Sequence, residues 1–68
     1  MRRVGGHTII IGKQTLSPGI VELMEGRVVN YYALDGELPM TEWLGGTIEI
    51  RCNADGILQA FKNNILLC

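Results

Sequence analysis

The apolar residues of this 68-residue chain come in runs of three to six, cut apart by glycine-containing breaks. The runs are rich in Ile, Val, Tyr and Thr, which pack well on a pleated surface, so the chain reads as all-β. Thr8 to Ile11 is a first strand, broken at Gly12 and resuming through Leu16. Ser17-Pro18-Gly19 is a turn, because proline presets φ and glycine accepts φ > 0. Ile20 to Met24 and Arg27 to Ala33 flank Glu25-Gly26, a two-residue spacing that suits a tight hairpin. In the second of these strands Val29, Tyr31 and Ala33 alternate with Val28, Asn30 and Tyr32. Both sets are largely apolar, so this strand is expected to be central or covered on both faces.

Asp35-Gly36 opens a break that runs to Gly45-Gly46. Inside it, residues 39–44 fit one short helical turn, and a loop with Trp43 tucked onto the sheet fits equally. Thr47 to Cys52 is the cleanest strand, with Ile48, Ile50 and Cys52 inward and Thr47, Glu49 and Arg51 outward. Asn53-Ala54-Asp55-Gly56 turns the chain into Ile57 to Phe61, and Lys62-Asn63-Asn64 turns it into a short apolar strand from Ile65 to Cys68. About six mostly antiparallel strands then make a small barrel or a single sheet folded on itself. No linker or repeat divides residues 1–68, which read as one domain.

At this length folding buries only about 60% of the unfolded chain's surface, so the core is thin and association is the expected aid. Six Lys+Arg against seven Asp+Glu give a net charge of -1, which disfavours nucleic acid as a partner. Arg2 and Arg3 read as a solvated tail. The apolar run Ile9 to Ile11 is far too short for a signal-peptide core, and no segment is long and apolar enough to span a bilayer as a helix. The expected setting is the cytoplasm, with free thiols at Cys52 and Cys68.

The residues of chemistry are sparse. His7 is the only histidine, and no CxxC or HxxxH spacing announces a metal site. His7 reads as a surface or strand-end residue and Cys52 as a core thiol. The carboxylates Glu22, Glu25, Asp35, Glu37, Glu42, Glu49 and Asp55 fall at turns or outward strand positions. Gly5-Gly6 and Gly45-Gly46 are too short to cradle a phosphate. No catalytic residue, cofactor or metal ligand is assigned. Trp43 is expected as core or an intramolecular lid, with partner contact as the alternative.

The stretch Ile20-Val21-Glu22-Leu23-Met24-Glu25-Gly26-Arg27-Val28-Val29 resembles the opening hairpin of the small β-domain that precedes the catalytic barrel in amidohydrolase-type metal-dependent hydrolases. Thr41-Glu42-Trp43-Leu44-Gly45-Gly46-Thr47-Ile48-Glu49-Ile50 stands where that family runs a last strand before its barrel. There the strand leads to a His-x-His metal motif. Here Ile50 leads to Arg51-Cys52-Asn53-Ala54-Asp55-Gly56 and another hairpin. The resemblance therefore implies the accessory β-domain without its barrel, and no metal ligand carries over.

The expected role is a non-enzymatic one, a β-domain acting by association with a protein partner or in a weak homodimer. The residues expected to carry it are Trp43, Tyr32, Ile65, Leu66 and Leu67, since an apolar edge strand invites pairing. A small-ligand binding module is the alternative, and a hydrolase is the remaining reading.

Overall fold

A computed structural model describes residues 1–36 and 40–68. Nine strands lie among them: β1 Arg2–Gly6, β2 Thr8–Ile11, β3 Gln14–Leu16, β4 Gly19–Met24, β5 Arg27–Ala33, β6 Glu42–Trp43, β7 Thr47–Cys52, β8 Leu58–Lys62 and β9 Ile65–Leu67. They form two sheets, one in the order β5, β4, β1, β6 and the other in the order β3, β2, β7, β8, β9. The all-β reading holds, and nine strands stand where about six are expected: β3 folds back antiparallel on β2 instead of continuing it, β1 replaces a tail, and β6 replaces a helical turn or loop.

The largest addition is β1. Arg2 to Gly6 carries a single large apolar residue, Val4, and its basic pair Arg2 and Arg3 reads as a solvated tail. Instead it lies between β4, which it pairs antiparallel from Arg2↔Leu23 to Gly6↔Gly19, and β6, which it pairs in parallel at Val4↔Glu42 and Gly5↔Trp43. The second pairing corrects the helical turn. Glu42 and Trp43 are extended, drawn into a ladder by a strand about forty positions earlier in the chain. Pro39, the start of that turn, lies outside the described residues.

The core sits between the sheets. Val4, Val21, Leu23 and Val28 meet Ile9, Ile48, Ile50 and Ala60, all buried, with Ile11, Leu16, Tyr31, Leu44, Leu58 and Leu67 packed around them. The phase of β7 is as its alternation indicates for Ile48 and Ile50, but Cys52 is exposed. It pairs with Leu58 in the last register of the β7–β8 ladder, at the strand end, where the opposing sheet no longer covers it.

Strand β5 is an edge, not a central strand. Its simple alternation is broken by a bulge, since Glu22 pairs with Asn30 while the next residue, Leu23, pairs with Val28. Val29 is the extra residue, 49% exposed. The bulge restores Val28 and Tyr31 to the core side and leaves Asn30 and Tyr32 on the outside. One largely apolar strand therefore reached the wrong phase on paper.

The hairpins follow turn chemistry closely. Glu25 and Gly26 have φ of 52° and 77°, the left-handed pair of a type I′ turn whose twist matches its strands. Asn63 and Asn64 do the same between β8 and β9, at 54° and 63°. Asn53 organises the β7–β8 loop, its Oδ1 accepting from the backbone N–H groups of Asp55 at 2.8 Å and Ile57 at 3.0 Å.

The chain passes between the sheets at three places: β1 becomes β2 across His7 alone, β3 becomes β4 across Ser17 and Pro18, and β6 becomes β7 across Leu44, Gly45 and Gly46. The first and last crossings are bonded to each other and form a corner. Leu44 and Gly45 donate to the Gly5 carbonyl at 2.9 and 3.3 Å, and Thr8 donates to the Gly46 carbonyl at 3.2 Å. His7 Nδ1 accepts from the Gly46 N–H at 2.8 Å. A Cβ on Gly6 would stand 3.2 Å from the Gly46 carbonyl oxygen, so the two glycine pairs are where strands pass close together.

Candidate functional site

The outer face of the four-stranded sheet is built by cross-strand rows. Gly5, Ile20 and Tyr32 are directly opposite one another on β1, β4 and β5, and Trp43 on β6 completes the row. Gly5 lacks a side chain, and the space is taken by the indole. A Cβ there would lie 2.8 Å from Trp43 Cε3 and 3.1 Å from Ile20 Cδ1. Ile20 is fully buried although it lies outside the main core cluster, while Trp43 stays 50% exposed. Trp43 is therefore a lid over Gly5, with His7 edge-on against its ring at a centroid distance of 5.2 Å.

The next row along is polar. Arg3, Glu22 and Asn30 stand opposite one another. Arg3 Nε donates to Glu22 Oε2 at 3.0 Å, and the Tyr32 hydroxyl donates to the same oxygen at 2.8 Å. Donation from Tyr32, with Arg3 beside it, holds the Glu22 carboxyl below the usual carboxylate range. Desolvation, then the neighbouring Glu22, pushes the Tyr32 phenol upward. This cluster was missed from sequence because its cation lies on the unrecognised β1. The outward phase of Glu22 between Val21 and Leu23 was the available signal.

Ile65, Leu66 and Leu67 lie elsewhere, on the edge strand β9 of the five-stranded sheet. Leu67 packs against the core, whereas Ile65 is 68% and Leu66 40% exposed. Leu66 extends a second outer row, Ile10, Glu49, Phe61, Leu66. Arg51 reaches over Phe61 at 4.5 Å from the ring centre and is paired with Glu49. The expected interaction residues thus divide into two surfaces, Trp43 with Tyr32 on one sheet and Ile65 to Leu67 on the other.

A rim contact ties the sheets together beside β9. Arg2 Nε donates to Glu42 Oε2 at 2.8 Å, and Arg2 Nη1 donates to the Cys68 carbonyl at 3.0 Å. A groove of about 700 Å³ runs nearby, lined by the β4–β5 turn with Asn53, Ile57, Gln59, Leu66 and Cys68. Among the described residues no three His, Cys, Asp or Glu side chains come together in a way that could hold a metal ion. Among them, too, no helix is long and apolar enough to cross a membrane.

No protein-family model matches the chain, and no curated protein matches it. A solved structure does: N-acetyl-D-glucosamine-6-phosphate deacetylase from Mycobacterium smegmatis, with a TM-score of 0.61 at 25% identity. The match covers 74% of this chain and 15% of that one, so the chain spans a small part of the enzyme's length. The resemblance carried by the Glu25-Gly26 hairpin thus extends to the fold, and the chain is similar to a small domain of an amidohydrolase.

Proposed function

We propose that the chain is a non-catalytic accessory β-domain of the amidohydrolase type, working by association with protein rather than by chemistry on a substrate. The observation that carries this reading is the likeness over 74% of the chain to a part amounting to 15% of a deacetylase. A unit of that size is suited to lend surface and stability to a partner, and the described space between its sheets is packed by aliphatic side chains. The free, exposed thiols of Cys52 and Cys68 support a cytoplasmic, reducing setting for this role. The test is to purify the chain, measure bound zinc, iron and nickel, and assay hydrolysis of N-acetylated amides and esters with each metal added. The expected result is no stoichiometric metal and no turnover. One equivalent of tightly held metal together with metal-dependent hydrolysis overturns the reading.

A second reading, a small-ligand module, is favoured by the half-exposed indole of Trp43 in one row with Tyr32. Titration followed by tryptophan emission tests it, since Trp43 is the only tryptophan.

A further inference from the structure

Among the described residues the two sheets end in four edge strands, and three of these are poor templates for pairing. β6 is two residues long, β5 is interrupted by its bulge, and β3 presents Gln14 and Thr15 next to Lys13. β9 differs. Ile65-Leu66-Leu67 has no charge and no proline, and its type I′ hairpin fixes which backbone groups face outward. The pair flanking a two-residue turn exchanges both backbone bonds, so Ile65 with Lys62 and Leu67 with Ala60 are the bonded pairs. The N–H and C=O of Leu66 therefore point away from β8, toward the open edge. The Cys68 carbonyl faces the same way, and there Arg2 Nη1 already donates to it.

We propose that the open edge of β9 is a two-fold pairing site for a second copy of this chain, restrained by the Arg2 side chain. This rests on reading the chain as an association domain, and it names the partner. A two-fold axis beside Leu66 sets this residue opposite its equivalent, so each donates its N–H to the other's carbonyl, and Ile65 lies against Leu67 of the second copy. The outer row then runs on without a break: Phe61, Leu66, then Leu66 and Phe61 of the copy. Charge does not oppose it, because Arg51 and Glu49, which flank this apolar centre, are already paired on each copy. Arg2 sets the limit. Pairing beyond Leu66 brings Asn64 against Cys68 of the copy, and the guanidinium held between Glu42 and the Cys68 carbonyl blocks that step.

The experiment is sedimentation of the full 68-residue chain from micromolar to millimolar concentration. The native chain should be monomeric when dilute and partly dimeric when concentrated, and Arg2→Ala should dimerise at several-fold lower concentration. Leu66→Pro removes an N–H that the monomer does not use and should stay monomeric throughout with its β spectrum intact. Should that variant unfold, Leu66→Cys in a Cys52→Ser, Cys68→Ser background serves instead, forming a disulfide-linked dimer on mild oxidation while Gln14→Cys in the same background does not. Native and Arg2→Ala chains that are both monomeric at every concentration overturn the pairing, as does equal cross-linking at positions 14 and 66. That failure leaves the accessory-domain reading standing, because the latter falls only to metal-dependent hydrolysis.

Discussion

Replacing Gly5 by alanine tests the outer face of the four-stranded sheet. Gly5 has ordinary strand geometry, so the substitution carries no backbone penalty, and its whole effect is steric. The new methyl would sit 2.8 Å from Trp43 Cε3, 3.0 Å from Cζ3 and 3.1 Å from Ile20 Cδ1. The Ile20 methyl is a flexible end and can yield by a few tenths of an ångström, but the indole must swing away. Trp43 is 50% exposed, so roughly 100 Å² of aromatic surface is at stake, worth about 2–3 kcal/mol if lost completely. The edge-on contact with His7 adds about 0.5–1.5 kcal/mol. A partial shift places the expected destabilisation at about 1–3 kcal/mol. Urea unfolding gives the free energy, and the single tryptophan reports its own displacement as a red shift of emission. The same change made in a Trp43→Ala background should be nearly neutral, because the obstructing ring has gone. Additive effects in that cycle, or an unshifted emission spectrum in Gly5→Ala, would refute the packing argument.

Other expectations follow from the same geometry. Ile50→Ala should cost about 2–5 kcal/mol, while Glu49→Ala on the adjacent outward position changes little, and a urea melt that ranked them the other way would reverse the phase of β7. Gly26→Val meets no atom within 4 Å but must adopt φ of 77°, so it should destabilise by about 1–2 kcal/mol through backbone conformation alone; an unchanged melting temperature would contradict this. The depressed carboxyl of Glu22 contributes stability that is fully present above its unfolded pKa, about 4.3, and lost as pH falls through its lower folded value. Glu22→Gln should flatten that part of the acid limb, and Tyr32→Phe, by removing the largest cause of the shift, should raise the Glu22 pKa and shrink the loss, as an NMR titration would show.

What could be read from sequence was local. The Glu25-Gly26 hairpin and the Thr47 to Arg51 alternation are each specified by neighbours in the chain, and both stand as read. What escaped was set by distant partners. Arg2 to Gly6 has too few apolar residues to announce a strand, and its conformation is fixed by β4 and β6 on either side. Val29 shows how a bulge defeats period-two counting, since no residue in Val28-Val29-Asn30 marks which one is extra. Cys52 continues the inward phase of Ile50 but outruns the opposing sheet. At the surfaces, the aromatic lid was legible in kind, because so small a domain has few large side chains besides Trp43 with which to cover its sheet. Its seat over Gly5 was not, because that needed the parallel register of β6.

The corner at which β1 passes into β2 across His7, and β6 into β7 across Gly45 and Gly46, has a kinetic meaning. Its bonds join residues as far as 39 positions apart. On each side of the corner the two crossing segments form a parallel pair, β1 with β6 in one sheet and β2 with β7 in the other. The hairpins can form early on their own, but Val4, Ile9 and Ile48 are buried together only after a long loop has closed, and the entropy of that closure is spent before the core repays it. Folding should therefore be slow for so short a chain and all-or-none, with no half of the molecule able to stand as an intermediate while the other half is still unfolded.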